Sequence, residues 1–464
     1  MSIKNLHTVY FLGIGGIGMS AIARYFNSLD CKVYGYDKTK TALTLQLESE
    51  GIYIHYTEDL NQIPICIKKS DKQTLVIYTP AIPIDNIEYQ YLKLKRKLYK
   101  RSEILGLISE NYFTIAIAGT HGKTTTSSII AHILNECGVN CIAFLGGISL
   151  NFNSNLLLNK DADVIIVEAD EYDRSFLTLS PDIALITSID ADHLDVYGDI
   201  NQMINAYSEF TRNIKQAGNL IAKQRCIDVL NIRSDIKISS YSATELADIS
   251  AKNVNLKEGN YYVDLNVNSS IIENIKIGLP GLHNLENAIG AFSIANKLEI
   301  DQHQVKKALG CYKGVQRRFE THIKTNGLVY IDDYAHHPSE LEMCIKSVKE
   351  LYPGKKITGI FQPHLFSRTR DFANEFAISL SLLDALILLD IYRARELPIE
   401  GIDSDFLLKK VTITNKKVVP KKNLLAVIAE LDIEVLLTLG AGDIDMIVAP
   451  LKEQLEKSID KINE

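Results

Sequence analysis

The sequence predicts an α/β protein of three domains in series, each a mostly parallel sheet flanked by helices. Three observations carry this. The chain has 464 residues, and domains average ~150. Apolar strand-like runs alternate with helical stretches along most of its length, the pattern of βαβ units. Two glycine loops, at 13–18 and 119–126, each follow an apolar run directly, where a backbone can approach an anion at a helix N-terminus.

The first domain, residues 1–108, has strands at Val9–Leu12, Val33–Tyr36 and Leu75–Tyr78. Gly13, Gly15, Gly16 and Gly18 form G-x-G-x-x-G after the first strand, and Asp37 ends the second. This is the Rossmann-like dinucleotide fingerprint, with the acid placed for a ribose hydroxyl. Taken alone it suggests an NAD-dependent dehydrogenase. Its physical content is broader: any nucleoside diphosphate, a UDP-sugar included, suits such a loop. Thr79, directly after the third strand, joins these residues as a candidate substrate contact.

The second domain, residues 109–324, opens with a strand over Tyr112–Ala118, the loop Gly119-Thr-His-Gly-Lys-Thr-Thr-Thr126 and a helix over Ser127–Leu134. Strand, glycine loop, lysine, hydroxyl and helix form a P-loop, ATPase-type layout. Ile117 stands where the usual spacing has its first glycine, so the loop is shortened, with His121 inside it. Lys123 is placed to neutralise the β- and γ-phosphates of ATP, and Thr124 to reach Mg2+. The loop reads as surface-facing chemistry. Strands at Val164–Val167 and Ile183–Thr187 are followed by acid-rich segments. Glu168 is the best-placed Mg2+ ligand, since hard oxygen donors suit that ion, and His193 can ligate metal or orient phosphate. A β-rich stretch runs from about 219 to 278. A turn at 278–281 then leads into a helix over Leu285–Leu298.

The third domain, residues 325–464, repeats the alternation, with strands at Val329–Ile331, Lys356–Phe361, Ala385–Leu389 and Val435–Leu439. Asp332-Asp-Tyr-Ala-His-His-Pro338 and Phe361-Gln-Pro-His-Leu-Phe-Ser-Arg-Thr-Arg370 follow two of them. Arg368 and Arg370 can grip a carboxylate or phosphate. His336 and His364 can bind an amine or accept its proton.

Composition excludes other classes. A net charge of −7 argues against nonspecific nucleic-acid binding. No apolar run reaches the ~18 residues of a membrane span, and the N-terminus lacks a signal-peptide core. Seven scattered cysteines without zinc spacing read as reduced thiols of a cytoplasmic protein.

As a set, GIGGIGMS, AGTHGKTTT, VEADEYDRSF, DADHLD, GLHNLENA, GVQRRFE, DDYAHHPSE, FQPHLFSRTR and LGAGDID, in that order, resemble the Mur ligases of peptidoglycan synthesis. The resemblance implies an ATP-dependent amide ligase with a UDP-sugar-binding N-terminal domain, a central ATP-binding domain and a Rossmann-like C-terminal domain for the amino acid. The implied substrates are UDP-N-acetylmuramate and L-alanine, joined through an acyl phosphate. The implied cofactor is Mg2+, and the implied state a monomer or weak homodimer. By motif position, Gly119, Thr120, His121, Gly122, Lys123, Thr124 and Thr125 hold the ATP phosphates. Thr124, Glu168 and His193 serve magnesium. His283, Asn284 and Asn287 meet adenine and phosphate, Arg317 and Arg318 lie near the nucleotide, and Asp333 contacts the ribose. His336, His364 and Arg368 hold L-alanine, and Lys123, His193 and Arg368 carry catalysis. The first lysine after Asp195 is Lys215, so the carbamylated lysine of later-acting relatives is not expected. Leu365 replaces a basic residue found in many relatives. A murein tripeptide-recycling ligase shares most of these motifs and is the alternative within the family.

Overall fold

In the computed structural model, residues 3–463 are described apart from 70, 192, 193, 258, 269 and 395. The chain forms two compact units. One comprises Met1–Asn253, Val263–Lys276 and Glu286–Lys313, and the other Val254–Tyr262, Ile277–Leu285 and Gly314–Glu464.

The first unit opens with β1 (Thr8–Leu12), β2 (Lys32–Tyr36), β3 (Tyr53–His55), β4 (Thr74–Tyr78) and β5 (Tyr99–Lys100), in spatial order β3-β2-β1-β4-β5 with parallel pairings throughout. Parallel strands buried on both faces read as continuous apolar runs, and β1 does so. Val9 and Phe11 enter one core while Tyr10 and Leu12 enter another. The strand order reverses at β1, the position where ligands bind in doubly wound sheets. Gly13 follows it directly.

Ten further strands form the central sheet: β6 (Phe113–Ala118), β7 (Cys141–Ser149), β8 (Ser154–Leu158), β9 (Val164–Glu168), β10 (Ile183–Ile186), β11 (Asn219–Ala222), β12 (Lys237–Ser242), β13 (Ile249–Lys257), β14 (Asn260–Val267) and β15 (Ser270–Ile277). Their order is β15-β14-β13-β12-β11-β10-β6-β9-β7-β8. β6 lies between β9 and β10, parallel to both, with Ile117 opposite Glu168 and Ala118 opposite Ile186. The carboxyl ends of β6, β9 and β10 therefore deliver the phosphate loop and both acid-rich segments to one edge. The helix after the loop spans Lys123–Glu136 and begins four residues before the sequence reading placed it. Gly122 makes this possible by taking a left-handed φ of +82°, which costs little without a Cβ.

The second unit holds β16 (Glu320–Lys324), β17 (Val329–Asp333), β18 (Ile357–Phe361), β19 (Ala385–Leu388), β20 (Lys416–Val418) and β21 (Val435–Leu439), in order β16-β17-β21-β18-β19-β20. Only β16 runs antiparallel, as an edge strand on β17. β17, β21 and β18 are buried throughout and in register, with Asp333, Leu439 and Phe361 side by side at their carboxyl ends.

Candidate active site

In the phosphate loop, glycine is required where the chain presses on β10. Gly119 has φ +131°, and a Cβ there would sit 2.0 Å from Thr187 Oγ1. A Cβ on Gly122 would sit 2.4 Å from Asn287 Oδ1. The loop is tied down by the segment after β10. Thr120 Oγ1 lies 2.7 Å from Ser188 Oγ, the His121 N–H donates to Ser188 Oγ at 3.1 Å, and His121 Nε2 is 3.8 Å from Asp190 Oδ2. Thr125 is buried in the first helical turn. Lys123 Nζ donates to Gly119 O at 2.6 Å and approaches Thr120 O at 3.4 Å. It also lies 2.7 Å and 2.9 Å from the two carboxylate oxygens of Glu171. Thr124 Oγ1 donates to both oxygens of Glu168 at 3.0 Å, and the Gly146 N–H donates to Glu168 Oε2 at 3.0 Å.

The lysine is not surface-facing. Its side chain is 13% exposed and that of Glu171 is 1% exposed. Burial pushes the Glu171 carboxyl above its usual value, against the pull of Lys123. Burial also opposes charge on Lys123, but Glu171, Asp170 and Glu168 together outweigh it and raise the ammonium above its usual value, so Lys123 stays cationic. A hydroxyl and a carboxylate converging beside this ammonium fit a hard divalent cation bound with a triphosphate. His193, the third expected ligand, lies outside the described residues. Among the described residues, Glu320, His322 and Asp332 also approach metal-ligand spacing. There Arg317 Nε already donates to Asp332 Oδ2 at 3.1 Å, so Asp332 already has a cationic partner.

At the first glycine loop, the Gly15 N–H donates to Asp37 Oδ2 at 2.8 Å and the Thr39 N–H to Asp37 Oδ1 at 3.0 Å, so Asp37 braces the loop. A Cβ on Gly13 would lie 2.5 Å from Thr79 Cγ2, and one on Gly18 would lie 2.7 Å from Arg101 Nη1. Gly16 caps the helix Ile17–Ser28 with no side-chain hydrogen bond. Arg101 Nη2 donates to Asp170 Oδ2 at 3.2 Å, tying this loop to the segment after β9.

In the second unit, Asp333 ends β17 almost fully buried and accepts from Phe319 N at 2.7 Å and Ala335 N at 2.8 Å. Burial pushes its carboxyl up to about 6, with Arg318 and the two N–H groups pulling it back. Arg317 Nη2 donates to Gly440 O at 2.6 Å, and Arg318 lies over the Tyr334 ring. Asn284 Nδ2 donates to Pro280 O at 2.7 Å, and His283 Nδ1 is 3.5 Å from Ser347 Oγ. The structure brings His336 and His364 together, their rings 5.9 Å apart. Half-buried Arg368 follows on the helix Phe366–Asp371. Arg370 points elsewhere, exposed and paired with Asp371 at 2.7 Å. Leu365 sits at φ +70°, a left-handed value that strains a leucine. Lys215 pairs with Asp182 at 2.7 Å.

Family models match nearly the whole chain: "Mur ligase family, catalytic domain" at residues 8–113, "Mur ligase middle domain" at 117–295 and "Mur ligase, glutamate ligase domain" at 317–445. A UDP-N-acetylmuramate–L-alanine ligase of Cytophaga hutchinsonii is 47% identical over 100% of both chains. One of Christiangramia forsetii is 47% identical over 98% of each. The chain belongs to the Mur ligase family. The crystal structure of a UDP-N-acetylmuramate-alanine ligase from Thermotoga maritima superposes with a TM-score of 0.81 at 27% identity, covering 97% of this chain and 99% of that one.

Within this Mur ligase, no sequence motif singles out Gly146, Glu171 or Arg101 for a role. Gly146 seats Glu168, Glu171 holds Lys123, and Arg101 lies over Gly18. Glu171 stands inside VEADEYD, but nothing local distinguishes it from the acids around it.

Proposed function

We infer that the chain is an ATP-dependent amide ligase that joins L-alanine to the lactyl carboxylate of UDP-N-acetylmuramate in peptidoglycan precursor synthesis. Full-length 47% identity to enzymes of that name carries the substrate assignment. The ammonium of Lys123 beside the Thr124–Glu168 pair carries the ATP chemistry. A carboxylate is a poor electrophile for an amine. ATP therefore gives its γ-phosphoryl group to the lactyl carboxylate, forming an acyl phosphate and ADP. The amine of L-alanine attacks the acyl carbon, and phosphate leaves.

Each step is mainly positioning and charge neutralisation. Loop N–H groups from Gly119 to Thr125 and the Lys123 ammonium offset the repulsion between triphosphate and carboxylate. Thr124, Glu168 and His193 would hold Mg2+, which supplies further positive charge beside the phosphates. Gly13–Gly18, Asp37 and Thr79 serve the UDP end of the substrate. His283, Asn284, Asn287, Arg317 and Asp333 face the nucleotide, and His336, His364 and Arg368 take L-alanine. The domains in this reading are 1–108, 109–324 and 325–464. The enzyme works in the cytoplasm as a monomer or weak homodimer, and no helix among the described residues is long and apolar enough to cross a membrane.

The test is ADP release. It should require both UDP-N-acetylmuramate and L-alanine. ADP formed with a murein tripeptide but not with L-alanine would replace this reading with the recycling one.

A further inference from the structure

We propose that Glu171 is a positioning residue for the phosphate-loop lysine, its buried carboxylate aiming the Lys123 ammonium at the phosphoryl group in flight. The proposal rests on the ATP-ligase reading and adds a residue to it. A lysine ammonium has three N–H donors on a flexible four-carbon stem. Left alone, such a stem samples many rotamers. Here Gly119 O takes one donor at 2.6 Å and Glu171 takes another at 2.7–2.9 Å. The remaining contact, Thr120 O at 3.4 Å, is the weakest. It is the one a phosphate oxygen can displace while the other two hold the nitrogen in place.

Glu171 is itself fixed. Its carbonyl accepts from Tyr197 Oη at 2.5 Å and from Arg174 N at 3.0 Å. On either side, Tyr172 N donates to Asp170 Oδ1 at 3.1 Å and Phe176 N to Asp170 O at 2.9 Å. Asp173 and Arg174 both adopt left-handed φ values, +54° and +55°, and Arg174 lies over the Tyr197 ring. Two consecutive strained residues persist only where their surroundings over-determine them, and here the result is a carboxylate turned inward. Glu168 and Glu171, three residues apart, thus divide the loop's polar groups. Glu168 takes the Thr124 hydroxyl, and Glu171 takes the lysine.

The test is a double-mutant cycle read in turnover. Glu171→Gln is nearly isosteric and should lower kcat about 10- to 100-fold, in the range of other supporting-residue losses, while leaving KM for UDP-N-acetylmuramate within about twofold. Glu171→Asp keeps the charge and should recover part of the lost kcat. In a Lys123→Ala background, Glu171→Gln should cost nothing further, because Glu171 acts through Lys123. Wild-type kcat in Glu171→Gln, or a double variant slower than Lys123→Ala by the full single-variant factor, overturns the proposal. Should Glu171→Gln fail to fold, the same cycle is run with Glu171→Ala, which also removes the charge, and the same two outcomes decide. Wild type is assayed with L-alanine and with tripeptide, and the acceptor that supports ADP release is used throughout. The identity of that acceptor bears on the ligase assignment, and the cycle bears on Glu171.

Discussion

Gly146→Ala tests whether Glu168 is the carboxylate that serves the metal. Gly146 lies on β7, and a Cβ built there falls 2.1 Å from Glu168 Oε2 and 2.7 Å from its Cδ. Ordinary contact between such atoms is above 3 Å, so the carboxylate must move by about 1 Å or more. The obstacle is the far end of a flexible side chain and Gly146 has no left-handed φ, so backbone strain is not part of the effect. Displacement loosens the hydrogen bonds from Gly146 N and Thr124 Oγ1, both at 3.0 Å. Charge-assisted bonds of this kind contribute about 1.5–3 kcal/mol each, and water replaces part of that because Glu168 is only half-buried. Stability should therefore drop by about 1–2 kcal/mol. Losing the support of a metal-ligating carboxylate typically weakens metal affinity about 10- to 100-fold. The assay is ADP release at fixed ATP against free Mg2+, alongside thermal unfolding. Half-activation should move to 10- to 100-fold higher Mg2+, and excess Mg2+ should restore most of the turnover. Gly310→Ala is the control, since its Cβ meets nothing closer than 3.7 Å. A Gly146→Ala enzyme with wild-type Mg2+ dependence would refute the assignment of Glu168.

Arg317→Met should cost about 3–5 kcal/mol, because it strips the guanidinium from the fully buried Asp332; a loss under 1 kcal/mol by denaturant unfolding would show that Asp332 does not depend on this ion pair. Asp333 gives a pH signature. Its folded value of about 6 exceeds the ordinary 3.8, so the folded state binds more protons than the unfolded state between those values, and stability falls as pH rises through 6. Through this group the linkage relation makes wild type more stable at pH 5 than at pH 8, by on the order of 1 kcal/mol. Asp333→Asn should abolish that difference, measured as wild type minus variant at each pH; an unchanged difference would mean Asp333 is ionised throughout.

Much of the fold was legible because buried parallel strands announce themselves. β1, β6, β17, β18 and β21 are mainly apolar runs ending at a glycine, an acid or a proline-containing turn, and their motifs lie at the carboxyl ends where doubly wound sheets bind ligands. β7 was missed because Gly146 and Gly147 interrupt its strand signal, and β3, β5 and β20 because edge strands of two or three residues carry almost none. The helix begins at Lys123, ahead of its apolar pattern, because packing of this buried turn overrides the poor helix propensity of three successive threonines. The site divides along the same line. Lys123, Thr124 and Glu168 were legible because a local motif places each of them. Gly146 and Glu171 were not, because their partners lie 22 and 48 residues away. The segment after β9 shows why. Asp170, Glu171 and Asp173 look equivalent in sequence, yet their side chains are 38%, 1% and 39% exposed. Asp170 and Asp173 meet Arg101 and Lys100 in a half-solvated setting where ion pairs contribute little. Glu171 meets Lys123 in a dry one, where losing either partner leaves a charge in low dielectric. The three acids differ in their surroundings, and those surroundings are set by the twist of Asp173 and Arg174 and by a tyrosine 26 residues further on.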